Sequence, residues 1–175
     1  MSVVNELARP SDRSRFDEQL ADRLEKAQSL QRRFAVLVVG ADSLDWINRR
    51  WGRAAGDSVL RKLGRRLLAS LGPDDQLTRY DGNRFGIIRW AASADQAAAF
   101  AQHLLSRVAH TPFDIPDSHD AAFLTASIGV ALGEPGARPP AIFTAVEQAL
   151  RRARDTGGNR THLSPPSPAC GRGAG

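Results

Sequence analysis

Two β-prone runs meet at a tight turn in the segment Arg79–Ile88, which reads RYDGNRFGII. The tip of the turn reads Asp-Gly-Asn, residue types that favour the positive φ angles used by two-residue hairpin turns. The segment therefore predicts a β-hairpin, which we extend to Leu77–Trp90. A hairpin tip brings side chains and backbone to the mouth of a sheet, where functional sites are often built.

Apolar periodicity predicts a sheet covered by helices on both faces around this hairpin. A continuous apolar run, Phe34–Val39, predicts a strand that is buried on both faces and ends at Gly40. Ser43 or Asp42 would cap the short helix that follows, and Gly52 would end it. Further helices are predicted over residues 12–33, 54–71, 94–110 and 141–155, loops over 112–120 and 133–140, and strands over 122–131 and 161–163.

The composition fits a single domain with anionic partners. The 175 residues carry 24 Lys and Arg against 19 Asp and Glu, a formal net charge of +5 that suits nucleotides or nucleic acids. The basic residues are spread over several helices and are not gathered with aromatic residues, so solvated helix faces explain them better than a nucleic-acid platform. The lone cysteine, Cys170, cannot form an internal disulfide, and no apolar run approaches the ~20 residues of a membrane span. We therefore expect a cytoplasmic protein without a membrane partner.

Five segments, taken in order, resemble the GGDEF domain, the catalytic module of diguanylate cyclases. Arg13 and Phe16 match a motif of the first helix, and residues 42–57 (DSLDWINRRWGRAAGD) match Asp-x-Phe-Lys-x-Ile-Asn-Asp-x-x-Gly-His-x-x-Gly-Asp. Residues 79–85 (RYDGNRF) stand in place of Arg-Tyr-Gly-Gly-Asp-Glu-Phe, and the series ends with residues 125–131 (TASIGVA) and 149–160 (ALRRARDTGGNR). Each segment alone is a weak match, but their order and spacing together argue against chance.

The resemblance implies an α/β (α+β) fold of the nucleotidyl-cyclase type, with a central, mostly antiparallel sheet and helices on both faces. We assign residues 12–163 to the domain, residues 1–11 to a lead-in, and residues 164–175 to a disordered tail rich in Pro, Ser and Gly. Family members join two GTP molecules into cyclic di-GMP, with two domains facing each other and each holding one GTP.

The residues that hold the catalytic metals in the family are replaced here. Attack of a 3′-hydroxyl on an α-phosphate is assisted by divalent metals held by carboxylates, and the resemblance places these carboxylates at Gly40 and Asn83. Arg84 stands where the family has Glu, and its charge would repel Mg²⁺. We therefore expect no catalytic residues and no ordinary cyclase chemistry, with Asp42 or Asp81 as alternatives that could still catch a metal. The degenerate signature consists of Asp81, Gly82, Asn83, Arg84 and Phe85.

The positions that contact the nucleotide in the family match its motif more closely here than the positions that hold its metals. Asn48 and Asp57 match the guanine-contacting residues of the family, and an amide with a carboxylate suits the hydrogen-bonding edge of guanine. Arg154 stands where the family has a phosphate-binding Lys, and Arg84 is a candidate stand-in for the lost metal. The structural alternatives are helix termination for Asn48, helix capping for Asp57, and solvent exposure for both arginines. The family's product-inhibition motif, Arg-x-x-Asp, corresponds to residues 72–75, which lack the Arg, so we expect no inhibitory site.

These observations favour a catalytically inactive GGDEF-family domain that acts as a regulatory or protein-interaction module in cyclic di-GMP signalling. We expect residual GTP binding, with Mg²⁺ accompanying any bound nucleotide, and either a homodimer or another signalling protein as partner. One alternative is an active diguanylate cyclase with a non-standard metal site that uses Asp42. A second alternative is a basic nucleic-acid-binding module that retains the fold.

Overall fold

A five-stranded sheet carries helices on both faces in the computed structural model, which describes residues 13–165. Within that range the helices are α1 (Arg13–Leu30), α2 (Leu44–Trp51), α3 (Arg53–Leu68), α4 (Ala94–Ala109) and α5 (Pro139–Asp155). The strands are β1 (Phe34–Ala41), β2 (Gln76–Asp81), β3 (Arg84–Trp90), β4 (Phe113–Asp114), β5 (Ala121–Ala122), β6 (Ala126–Gly133) and β7 (Thr161–Leu163). β4 and β5 form a separate two-stranded ribbon.

The sheet has the order β2-β3-β1-β6-β7, which places β1 at its centre. β1 pairs antiparallel with β3 and with β6, whereas the edge strand β7 runs parallel to β6. All eight residues of β1 are buried, as its continuous apolar run predicts. The predicted mixed fold with a mostly antiparallel sheet is therefore confirmed.

Side chains of β1 alternate between two apolar cores, one on each face of the sheet. Leu37 and Val39 belong to the core that contains residues of α3 and α4, together with Phe85 of the hairpin. Val36 and Val38 belong to the opposite core, which contains residues of α1 and α5. Because both faces of β1 are packed, the position at which this strand ends is fixed from two sides.

The predicted hairpin is present, but the predicted turn geometry is wrong. β2 and β3 pair antiparallel, yet neither Gly82 nor Asn83 has a positive φ. The register shifts between Arg79 and Asp81, and a bulge of this kind supplies local twist that a turn with positive φ would otherwise give. The Arg79 guanidinium holds the turn by donating from Nη2 to the Gly82 carbonyl oxygen at 2.7 Å.

Several helix boundaries differ from the prediction by a few residues. The first helix ends at Leu30, before Gln31 with a φ of 49°, rather than at residue 33. α3 begins at Arg53 and ends at Leu68, rather than spanning residues 54–71. α5 begins at Pro139 instead of residue 141, since the first turn of a helix accommodates proline.

The predicted loop over residues 112–120 contains part of the β4–β5 ribbon. Residues 121–122 pair with residues 113–114, so the strand predicted over 122–131 begins only at residue 126. Apolar burial explains the ribbon, because it brings Phe113 into the core. The guanidinium of Arg66 fixes this segment by donating to the carbonyl oxygens of Val108, Thr111 and Pro112.

Two sequence predictions lie outside the described residues. The lead-in over residues 1–11 is one, and residues 166–175 of the predicted tail, including Cys170, are the other. Between residues 13 and 165, no helix is long and apolar enough to cross a membrane.

Gly129 is required for the close packing of α5 on β6. A Cβ built on Gly129 would overlap the backbone of Val146 and would lie 2.9 Å from the Cα of Leu150. Because backbone atoms cannot move aside, we expect Gly129→Ala to lower the free energy of unfolding by about 1–3 kcal/mol in urea titrations. Gly82→Ala is the matched control, since nothing lies within 4 Å of a Cβ there, and its effect should stay within about 0.5 kcal/mol. Equal destabilisation by the two substitutions would contradict this account.

Candidate functional site

Three strand ends meet at the carboxyl end of β1. Gly40 lies opposite Arg84 of β3 and opposite Ser127 of β6 in the two ladders. The backbone N–H of Ala41 donates to the carbonyl oxygen of Asn83 at 3.3 Å, which ties the hairpin tip to the end of β1. The structure therefore brings together Gly40, Asn83 and Arg84.

The guanidinium of Arg154 lies directly over the backbone of Gly40. A Cβ built on Gly40 would overlap Nη2 of Arg154 and would lie 3.0 Å from its Cζ. Arg154 is in the last turn of α5 and is exposed to solvent, which was the structural alternative for this residue. Its guanidinium has no hydrogen-bond or ion-pair partner among residues 13–165. A cation thus occupies the space in which any side chain at position 40 would begin.

Asp42 acts as a clamp between three segments of the chain. Its Oδ1 accepts from the Ser127 hydroxyl at 2.8 Å, and its Oδ2 accepts from the Thr125 hydroxyl and from the Asn159 backbone N–H, both at 2.9 Å. These bonds join the end of β1 to the start of β6 and to the loop that follows α5. Three of the roughly four lone-pair sites of the carboxylate are therefore occupied, which leaves Asp42 little capacity to bind a metal.

The predicted cap of α2 is wrong. Ser43 occupies the N-cap position with a φ of 57°, and its side chain makes no capping hydrogen bond. Asp42 does not cap the helix either, because its carboxylate binds β6 and the loop after α5. The Asp42 carboxylate binds there because the buried Ser127 hydroxyl requires a hydrogen-bond acceptor.

Arg84 is held by two carboxylates at the base of the hairpin. Its guanidinium forms a bidentate ion pair with Asp81, in which Nε lies 2.9 Å from each carboxylate oxygen and Nη2 also contacts Oδ2. Nη1 donates to Oε2 of Glu147 on α5 at 2.7 Å, and the Tyr80 hydroxyl donates to Oε1 of the same residue at 2.8 Å. One guanidinium and two carboxylates leave this cluster with a formal charge of −1.

The pKa directions agree with a tightly bound cluster. Hydrogen bonds to Asp81, followed by those to Glu147, raise the pKa of Arg84 above its ordinary value. Burial and the hydrogen bond to Glu147 raise the pKa of Tyr80. Arg84 is therefore not solvent-exposed, so that interpretation is wrong, and in this structure its guanidinium is paired with carboxylates, while a role toward phosphates stays a prediction. Asp81 is likewise committed to Arg84 and is not a free metal ligand.

Asn48 and the helix that carries Asp57 are in direct contact. A Cβ on Gly56 would overlap Oδ1 of Asn48, so the Asn48 amide packs on the backbone of α3 beside Asp57. Oδ1 of Asn48 is buried without a hydrogen-bond partner in the part of the chain that the structure describes. The Asp57 carboxylate is exposed and equally unpartnered over residues 13–165.

The side chains of Asn48 and Asp57 do not perform the helix termination and helix capping that were the structural alternatives for them. α3 begins at Arg53 and has no acidic residue in its first turn, so helix capping by Asp57 is wrong. The end of α2 does involve Asn48, but through its backbone carbonyl oxygen, which accepts from the Gly52 N–H at 2.9 Å. Neither side chain is therefore used by its helix terminus, and Oδ1 of Asn48 is buried while the Asp57 carboxylate is exposed.

A cavity of about 600 Å³ lies between the hairpin and α5. Its lining is mainly polar and charged and comprises Arg84, Phe143, Thr144, Glu147, Gln148, Leu150, Arg151, Arg154 and Asp155. The volume is within the range of small-molecule sites, roughly 300–1,000 Å³. Of its arginines, Arg84 is neutralised by carboxylates, whereas Arg151 and Arg154 have no partner within residues 13–165.

The residues at the end of β1 do not fit a pair of divalent cations. Positions 40 and 83, where the family resemblance implies metal carboxylates, are Gly and Asn. No group of three or more His, Cys, Asp or Glu between residues 13 and 165 could hold a metal ion. Mg²⁺ requires several hard oxygen ligands and no cation in contact with them, and here Arg154 covers Gly40.

Glu147 is the site residue that sequence reasoning missed. It contacts Arg84 across a separation of 63 residues, and a single Glu on an amphipathic helix usually faces solvent. The change from Glu to Arg within the signature could have indicated it, because a partly buried cation requires carboxylate partners.

The comparisons with known proteins converge on one family. A family model described as diguanylate cyclase, GGDEF domain, matches residues 5–160. The diguanylate cyclase DosC of Escherichia coli K12 is 30% identical over 129 residues, which cover 74% of this chain and 28% of DosC. The chain spans only about 28–30% of the length of the first curated relatives that it matches.

Solved structures show the same architecture. The GGDEF domain of PA1120 (YfiN or TpbB) from Pseudomonas aeruginosa superposes with a TM-score of 0.84 at 25% identity, covering 91% of this chain and 99% of that chain. The diguanylate cyclase SiaD of the same species, solved in complex with its activator SiaC, has a TM-score of 0.81 at 21% identity. That match covers 87% of this chain and 58% of SiaD and concerns the fold alone.

If Asp42 is a structural clamp, its removal must weaken the fold. Asp42→Ala leaves the fully buried Ser127 hydroxyl without its acceptor, so we expect the free energy of unfolding to fall by about 1–3 kcal/mol. Chemical denaturation followed by circular dichroism measures the change. Glu25→Ala, which removes an exposed carboxylate from α1, is the control and should stay near the parent value. An Asp42→Ala variant as stable as the parent would refute the clamp.

Proposed function

This chain belongs to the GGDEF domain family of diguanylate cyclases, and we propose that it is a catalytically silent member that binds a guanine nucleotide as a regulatory module in cyclic di-GMP signalling. One contrast carries the proposal: the Arg154 guanidinium covers Gly40, the position of a metal carboxylate in the family, while Oδ1 of Asn48 and the Asp57 carboxylate have no partner between residues 13 and 165.

The loss of activity follows from the charges at the end of β1. Divalent metals supply charge stabilisation at the phosphates and activate the attacking hydroxyl, and carboxylates must hold them. Gly40 and Asn83 supply no such charge, and Asp42 is engaged by three donors. Arg84 cannot compensate, because Asp81 and Glu147 already balance its charge.

The binding of guanine follows from the two acceptors on α2 and α3. Guanine presents N1–H and an exocyclic amine on one edge, and the Asp57 carboxylate can accept from both. The buried and unpartnered Oδ1 of Asn48 supplies a further acceptor, and a donor from guanine would satisfy it. Adenine has an acceptor at N1 and would leave these groups unpaired, so the site should prefer GTP to ATP.

A signalling role requires a partner, and the family supports one. SiaD was solved with its activator SiaC bound. We infer that this domain acts through contact with another signalling protein or with a second copy of itself. The alternative of a nucleic-acid-binding module stays a prediction.

A calorimetric titration tests the guanine site directly. We expect GTP to bind and ATP to bind more weakly, and Asn48→Ala and Asp57→Ala each to weaken GTP binding about tenfold or more, since hydrogen bonds to charged groups contribute roughly 1.5–3 kcal/mol. Asp95→Ala, an exposed carboxylate on α4, is the control and should bind like the parent. No heat with GTP, or unchanged affinity in both site variants, would leave the domain without its proposed ligand.

A product assay tests catalytic silence. We expect no cyclic di-GMP in chromatograms after incubation of the protein with GTP and either Mg²⁺ or Mn²⁺, with DosC as the positive control. Formation of cyclic di-GMP would establish the active alternative, and the loss of that product in an Asp42→Asn variant that unfolds at the parent's temperature would then assign the metal to Asp42.

A further inference from the structure

We propose that Arg154 takes the place of a divalent cation, so that this domain binds the polyphosphate of its nucleotide without Mg²⁺ and binds it more weakly when Mg²⁺ is present. The proposal rests on the proposed nucleotide binding for its ligand, but its key contact is with the phosphates and not with guanine. It replaces the expectation that Mg²⁺ accompanies a bound nucleotide.

The first argument is the match between Gly40 and Arg154. The guanidinium occupies the space that a Cβ at position 40 would take, so the missing side chain makes room for the cation. The end of β1 cannot shift to change this contact, because the strand is buried along its whole length. The Arg154 charge therefore lies at the strand end where the family places a metal ligand.

The second argument is that the Arg154 guanidinium has no protein partner between residues 13 and 165. A guanidinium carries five N–H donors and no acceptor, and its fork matches the geometry of phosphate oxygens. Between residues 13 and 165, Arg154 and its cavity neighbour Arg151 make no ion pair, in contrast to Arg84. The cluster around Arg84 has a formal charge of −1, so it would repel phosphate and leave Arg154 as the principal contact.

The third argument concerns the effect of Mg²⁺. A free nucleoside triphosphate carries more negative charge than its Mg²⁺ complex, and a hydrated Mg²⁺ on the phosphates would meet the Arg154 guanidinium as a like charge. The described residues offer no group of carboxylates to offset that repulsion. Added Mg²⁺ should therefore lower the affinity rather than raise it.

Calorimetry with three probes separates this proposal from guanine recognition. GTP, guanosine and inorganic tripolyphosphate are each titrated into the protein, once with EDTA and once with excess Mg²⁺. We expect tripolyphosphate and GTP to bind in EDTA, and both to bind more weakly with Mg²⁺. Guanosine, which has no phosphate, should be indifferent to Mg²⁺.

Variants locate the contact. Arg154→Ala should weaken tripolyphosphate binding in EDTA about tenfold to hundredfold, the loss expected for one charge-assisted contact. Arg152→Ala is the matched control, because this exposed arginine is in the same helical turn and does not line the cavity. Gly40→Ala should weaken binding as well, because its Cβ would displace the flexible end of the Arg154 side chain. Thermal unfolding of this variant checks that the fold is kept.

Each remaining outcome has a distinct meaning. Binding of GTP or tripolyphosphate that requires Mg²⁺, or the absence of tripolyphosphate binding in EDTA, would overturn the role of Arg154. Equal losses in Arg154→Ala and Arg152→Ala would overturn it too, since they would indicate diffuse attraction to basic helix ends. Tripolyphosphate binding without any binding of guanosine, and with equal affinities for GTP and ATP, would overturn guanine recognition and leave the role of Arg154 intact.

Discussion

The complete burial of β1 is the constraint on which the site depends. This strand pairs with β3 on one side and with β6 on the other, and apolar cores cover both of its faces. Its last residues therefore cannot shift without breaking two ladders. Gly40, the hairpin tip and the start of β6 meet at one place for this reason. The Asp42 clamp then fixes the loop after α5 to the same place.

The hairpin keeps its strand pairing although its signature residues differ from those of the family. Phe85 remains in the core, so the apolar anchor of the signature is unchanged. Arg84, which replaces a Glu of the family, forms ion pairs with Asp81 and Glu147. Beside them, the guanidinium of Arg13 on α1 lies 4.3 Å from the centre of the Tyr80 ring. A partly buried cation is tolerated when carboxylates and aromatic faces surround it. The arginine at this position is therefore compatible with the pairing of the hairpin strands.

Repeating apolar patterns were sufficient to predict the sheet and its helices, because burial recurs at the spacing of each element. The continuous apolar run predicts β1, whereas the guanine-contacting role of Asn48 and Asp57 is implied only by the family resemblance and stays a prediction. The turn between β2 and β3 was predicted with the wrong φ angles, since the bulge depends on the register of pairing and not on the Asp-Gly dipeptide. The contacts of Arg154 and Glu147 were out of reach for a related reason. An arginine or a glutamate on a helix has the same local pattern whether it faces water or the end of a distant strand.

The contact between Gly40 and Arg154 also bears on how such a domain can evolve. A carboxylate that returned to position 40 would meet a guanidinium before it met a metal, and the two would form an ion pair. A carboxylate restored at position 40 would therefore not complete a metal site by itself, because the arginine would pair with it and position 83 would still be Asn. If the domain is catalytically silent as proposed, a single substitution at either position would bring no catalytic gain. The contact between one glycine and one arginine would then act as a barrier to regaining metal chemistry.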